Sequence, residues 1–75
     1  MSVQRFQLND EFVELHVLLK LLGLAPSGGA AKAMIAAGDV RVDGVVETRK
    51  ACKIRGDQVV RFADEEVRVL GRIEP

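Results

Sequence analysis

Tryptophan and tyrosine are absent from this chain, and phenylalanine occurs three times in 75 residues. Valine, leucine, isoleucine and alanine must therefore fill the core by close packing, and no rings are left over for a base-stacking platform. A single cysteine, Cys52, excludes an intramolecular disulfide. So small a domain outside a reducing compartment usually needs such staples, so a cytoplasmic setting is expected. The longest apolar run, Val17 to Leu24, is interrupted by Lys20 and falls far short of a bilayer span. The opening "MSVQRFQLND" lacks the apolar block of a signal peptide, so no membrane partner is expected. Net charge is also missing, which argues against a chain that coats nucleic acid by charge alone.

The neutrality conceals a division. Residues 1–31 carry two cations and three anions, and residues 62–75 two cations and four anions. Between them lie Lys32, Arg41, Arg49, Lys50, Lys53, Arg55 and Arg61 against Asp39, Asp43, Glu47 and Asp57, a net of +3. The length allows one domain with one small core.

The order of elements is legible from periodicity. Gln4, Phe6 and Leu8 alternate as a short first strand. Asn9 or Asp10 offers a cap, Glu11 and Glu14 suit the first turns of a helix, and Phe12, Leu15, Leu19 and Leu22 form its apolar stripe; the expected helix covers residues 10–22 and stops at Gly23. Pro26 sets a turn, Ser27 caps a second helix, Ala30, Ala31, Met34 and Ile35 offer its inward stripe, and Gly38 ends it. The pair Gly28-Gly29 after the cap suggests close packing or an approaching backbone. Val40 and Val42 then alternate around Arg41, Asp43-Gly44 is a two-residue hairpin signal, and "VVET" returns. "KACKI" continues as an extended segment, Gly56-Asp57 turns, and "QVVRF" and "EVRVL" close the series. The expectation is α+β: two helices packed on a small antiparallel sheet, with the first strand free to join an edge.

Chemistry of the catalytic kind finds little support. His16 and Cys52 are single residues without ligand spacing or an activating neighbour, so a boundary histidine and a small buried hydrophobe are expected. Glu65-Glu66 and Asp10-Glu11 are adjacent, so their carboxylates diverge rather than converge on a substrate, and solvated faces are expected. Gly28-Gly29 stands in no phosphate-loop or dinucleotide motif. No enzyme, metal or cofactor is expected.

The cations offer more. With residues 48–55 extended, Arg49, Lys53 and Arg55 share one face while Cys52 and Ile54 turn to the core. Arg41 lies opposite the face of Val40 and Val42, and Lys32 sits just past the amides of Ser27, Gly28 and Gly29. Together these make either a cationic ledge at a helix N-terminus or a set of solvated charges paired with nearby acids. Charge pattern alone leaves both readings level.

The run "LLKLLGLAPSGGAAKAMIAAGDVRVDGVVETRKACKIRGDQV" resembles the S4 RNA-binding domain, found in ribosomal protein S4, pseudouridine synthases, tyrosyl-tRNA synthetases and a heat-shock ribosome-binding protein. The resemblance rests on the leucine-rich first helix, the serine heading the second, Ala31 and Ile35, Gly38-x-Val-x-Val-Asp-Gly and the Gly56-Asp57 turn, over about residues 13–60 of a single 1–75 domain. It is nearest to small stand-alone bacterial S4-like proteins, which share "DGxVETRK" and "CKI". It implies the αL fold, no catalysis of its own, and RNA as partner, bound on the two helices and the adjoining hairpin. A monomer, a structured target of the ribosomal-RNA or tRNA-like kind, and ribosomal or RNA-processing protein partners are further expectations. The implied contacts are Lys32 and Arg41, then Arg49, Lys50, Lys53 and Arg55 after the hairpin, with Ser27, Gly28 and Gly29 as donors. Many S4 domains carry arginine where this chain has Gly28. A protein-interaction adaptor using Val45, Val46 and the acidic C-terminal third is the competing expectation.

Overall fold

A computed structural model describes residues 2–72. Glu74, counted in the acidic C-terminal third, lies outside them. Seven strands and two helices follow in the order β1 (Ser2–Gln7), β2 (Val13–Glu14), α1 (Leu15–Leu21), α2 (Gly28–Ala36), β3 (Val40–Val42), β4 (Val45–Val46), β5 (Lys53–Ile54), β6 (Val59–Phe62) and β7 (Glu65–Leu70). Five strands form one sheet in the order β1-β7-β6-β3-β4, and β2 pairs with β5 in a second, two-stranded one.

The sheet is mixed rather than antiparallel: β1 runs parallel to β7, from Ser2 opposite Glu65 to Gln7 opposite Leu70. Both helices lie between β1 and the remaining strands in the chain, so no hairpin dictates the direction of β1. The other neighbours are antiparallel. Asp43 (φ 51°) and Gly44 (φ 85°) form the expected turn between β3 and β4, with both central residues in the left-handed region that such hairpins require.

Alternation along the strands sorts the sheet into two faces. Val40, Val42, Val60, Val67 and Val69 are buried against Leu15, Leu18, Leu19, Ala31 and Ile35 of the helices. Thirteen aliphatic residues and no ring complete this fully buried cluster, while Phe6 and Phe62 pack at its margin. The opposite face is open to solvent and carries Arg41, Arg61, Glu66 and Arg68. Glu65 and Glu66 thus point to opposite faces of β7, a correction to the expectation that both are solvated. One Glu65 carboxylate oxygen is covered without a hydrogen bond, and Glu66 takes a 2.9 Å ion pair from Arg68.

The second helix matches its sequence signals. Ser27 Oγ accepts from the Ala30 amide at 3.1 Å, and Ala31 and Ile35 are buried. The first helix does not start where its pattern suggests. It begins at Leu15, has no side-chain cap and carries no acid in its first turn. Val13 and Glu14 are instead drawn into pairing with Ile54 and Lys53, and the amides of Leu15 and His16 donate to the carbonyls of Cys52 (2.9 Å) and Lys50 (3.1 Å). A distant segment supplies acceptors for helix-start donors that a local cap would otherwise satisfy.

Candidate nucleic-acid interface

Residues 47–56 are the segment that caps α1, and they hold most of the expected cations. The run is not extended throughout. Lys50 and Ala51 form a turn closed by the Cys52 amide on the Arg49 carbonyl at 3.1 Å, and only Lys53–Ile54 is strand. The reason is the capping just described: the carbonyls of Lys50 and Cys52 must both face the start of α1. Beyond the turn the expected alternation holds. Ile54 is fully buried, and Lys53 and Arg55 on either side of it are exposed.

Those two cations share one support. Lys53 Nζ lies 5.0 Å and the Arg55 guanidinium 5.6 Å from the centroid of the Phe12 ring. Phe12, expected in the stripe of the first helix, precedes β2 and offers its ring to this pair; such contacts favour a cation without neutralising it. Neither cation is ion-paired with a carboxylate among the described residues. Sequence reading missed Phe12 because its apparent helical spacing to Leu15 was coincidental.

Arg49 stands differently. It grips Glu47 with Nε and an Nη, each at 3.0 Å, and with its own amide at 2.9 Å. These bonds hold the Glu47 carboxyl at a pKa of about 2, against an ordinary 4.5, the Arg49 side chain contributing most and its amide next. A lowered folded-state pKa stabilises the fold fully above the ordinary value and loses that contribution as pH falls toward 2. The stability gap between wild type and Glu47→Gln in urea titrations should therefore be fully open at pH 7 and much narrower at pH 2.5, where part of it remains because the folded-state carboxyl is still largely ionised. Because Arg49 is exposed the gap is modest, and a gap of constant size would show that the pair does not act through charge. Burial pushes the neighbouring Cys52 thiol upward, and Glu47 adds to the shift, as suits a half-buried apolar role. His16 Nε2 lies 3.5 Å from Glu14, at the boundary.

The other expected contacts fall in two further places. Lys32 is exposed on α2, a turn beyond the amides of Gly28 and Gly29, which have no acceptor among the described residues. A Cβ on Gly28 would meet nothing within 4 Å, so the expected close packing is not the reason for a glycine there. Arg41 projects from the open face of the sheet, donates to the Gly44 carbonyl at 3.3 Å and borders a depression lined by Asp39, Gly44, Arg61 and Ala63. Among the expected cations, then, Lys53 and Arg55 are brought together, Arg49 is neutralised, and Arg41 lies on the other side of the sheet from the helices. Val45 (69% exposed) and Val46 (42%) line the outer edge strand. No helix among the described residues is long and apolar enough to cross a membrane, and no cluster of His, Cys, Asp or Glu among them is arranged to hold a metal ion.

This fold, with two helices on one face of a hairpin-bearing sheet, is that of the S4 domain, whose family model matches residues 6–70; the chain belongs to that family. It is 57% identical over 58 residues, 77% of this chain and 83% of the relative, to YbcJ of Escherichia coli K12, a protein provisionally named as RNA-binding. The same identity and coverage hold for YbcJ of Shigella flexneri. The solution structure of YbcJ from E. coli, described as revealing an αL motif involved in RNA binding, superposes with a TM-score of 0.69 at 52% identity, covering 88% of this chain and 85% of that one.

Proposed function

We propose that the chain is a non-catalytic RNA-binding protein of the cytoplasm that docks the phosphates of a structured RNA, ribosomal or tRNA-like, on cations around its helices. The observation that carries the reading is the pair Lys53 and Arg55: exposed, unpaired with acids, held on Phe12 and flanking a fully buried Ile54. The segment bearing them is bonded through its backbone to α1, so little ordering entropy is lost when phosphates arrive. Lys32, Lys50 and the amides of Gly28 and Gly29 next to Ser27 add donors, as helix N-termini do for anions. Arg49 contributes less, since a phosphate must compete with Glu47. Arg41 contributes from the sheet side. Phosphate contacts of this kind respond to shape rather than base identity.

Counterion release gives the test. With about five phosphates neutralised, log affinity for a structured RNA falls against log salt with a slope of roughly −3.5 to −4.5. Lys32→Ala and Lys53→Ala each flatten that slope by about one unit and weaken all RNAs alike. A flat salt response, or wild-type slopes in both variants, would sink the assignment. Exposed Val45 and Val46 on an open edge favour a second reading, an adaptor that binds a protein of the ribosome or an RNA-processing complex. Partners retained after nuclease treatment of a pull-down would support it, and partners lost would support RNA.

A further inference from the structure

The open face of the sheet carries four arginines, set among the apolar side chains of Val3, Val46, Val59 and Leu70. Register places Arg41 directly opposite Arg61, and Arg61 in turn opposite Glu66. Arg5 on the edge strand lies directly opposite Arg68. Alternation puts all four arginines on the face turned away from the helices. The lysines of the chain are Lys20, Lys32, Lys50 and Lys53, and none of them is on a strand of this sheet. Cations are thus segregated by type as well as by place.

Two directly opposed pairs of like charge are an unfavourable arrangement in a sheet. The surrounding structure relieves it only in part. Arg68 has Glu66 at 2.9 Å and Arg41 has the Gly44 carbonyl at 3.3 Å. Arg5 and Arg61 have no side-chain hydrogen bond or ion pair among the described residues. With Glu66 on the face and Asp39 at its margin beside Arg41 and Arg61, four guanidinium groups outnumber two carboxylates among the described residues, so the face is positive on a molecule with no net charge. A polyanion laid across it would remove the repulsion that folding leaves in place.

We propose that this face is a second phosphate-binding surface, on which Arg5, Arg41, Arg61 and Arg68 hold the backbone of double-helical RNA. The proposal rests on the reading of the chain as an RNA binder and extends it to the side of the sheet away from the helices. Arginine presents a planar fork that grips two phosphate oxygens at once, which a lysine cannot do. No aromatic side chain shares the face, since Phe6 and Phe62 pack on the core side, so unpaired bases have nothing to stack on and a duplex backbone is the matching ligand. A duplex held on one side by Lys53 and Arg55 and a second stretch held by the arginine face would place the domain between two segments of one folded RNA.

The test compares two double variants of the full chain, R5Q/R61Q and K32Q/K53Q, by fluorescence anisotropy with a labelled 20-base-pair RNA duplex, a single strand of equal length and a polyglutamate peptide. R5Q/R61Q breaks no side-chain bond and removes one member of each like-charge pair, so its melting temperature should match or exceed that of wild type. Expected for R5Q/R61Q is a salt slope on the duplex flatter by about 1.8 and affinity near 0.1 M salt lower by at least about tenfold. R5K/R61K should restore most of the slope. A wild-type slope in R5Q/R61Q, with K32Q/K53Q flattened, would overturn the second surface while leaving the first standing. Unchanged slopes in both would overturn both. Loss of polyglutamate binding with duplex binding intact would assign the face to an acidic protein and overturn the proposal.

Discussion

Replacing Gly56 by alanine is expected to lower the melting temperature by roughly 12–24 °C, the equivalent of about 3 kcal/mol in a domain of this size. A Cβ built at Gly56 falls 2.5 Å from the Gly71 Cα and 2.9 Å from its nitrogen, and both are backbone atoms with no rotamer to yield. Relief requires the strands to part where three of them are fastened together. The Asp57 amide donates to Val69 at 2.8 Å, the Val69 amide returns to the Gln58 carbonyl at 3.0 Å, and Gln7 Nε2 donates to the Gly71 carbonyl at 2.6 Å. A domain of this length has only about 4–11 kcal/mol in total, so such a loss leaves a large unfolded fraction on mild heating. Gly28→Ala is the contrast. It meets open space and improves helix propensity, so its melting temperature should equal or exceed the wild-type value. Equal melting temperatures for Gly56→Ala and wild type would mean that the Gly56–Gly71 approach does not constrain the fold.

That contact also gives the Gly56-Asp57 turn a physical meaning that its sequence signal lacked. A turn was legible; the requirement for a residue without a side chain was not, because Gly71 is fifteen positions away. The same division runs through the chain. The second helix and the Asp43-Gly44 hairpin were legible because their determinants are local: a serine cap, alanines, and two residues suited to positive φ. The start of the first helix was not, since Asn9, Asp10, Glu11 and Glu14 make a plausible local N-terminus that loses to a non-local one. Pairing of Val13 with Ile54 and capping by the carbonyls of Lys50 and Cys52 decide it.

The candidate interface divides in the same way. The identities of the middle cations and their departure from neutrality were plain, and the family resemblance pointed to them. Which of them are available required contacts. Glu47, two residues before Arg49, takes up its guanidinium, while Phe12 holds Lys53 and Arg55 without cancelling their charge. Arg5 and Arg61 are far apart in the sequence, and no local signal sets either beside another cation. Only the register that sets Arg61 against Arg41 and Arg5 against Arg68 turns four scattered residues into one surface.

Ile54→Ala should cost about 3 kcal/mol in chemical denaturation, against about 1 kcal/mol for Ile54→Val, because three methyl or methylene groups leave a site with no solvent exposure. The consequence for RNA is the more informative half. Ile54 is the sole fully buried side chain in the segment that carries Lys50, Lys53 and Arg55, and β5 is fastened to β2 by two residue pairs alone. Removing its side chain therefore loosens the backbone on both sides of it, and Lys53 and Arg55 lose the fixed spacing over Phe12. Val67→Ala is the matched control: it opens a cavity in the same core, from an inner strand of the five-stranded sheet, and leaves the cationic segment attached. Under conditions where both variants are at least nine-tenths folded, by about the criterion that leaves 1.4 kcal/mol of stability, Ile54→Ala should bind a structured RNA more weakly with a salt slope flatter by about one to two units. Val67→Ala should keep the wild-type slope. If the two variants lose affinity only in proportion to their unfolded fractions, Ile54 serves the core alone and the cations do not need a fixed platform to act.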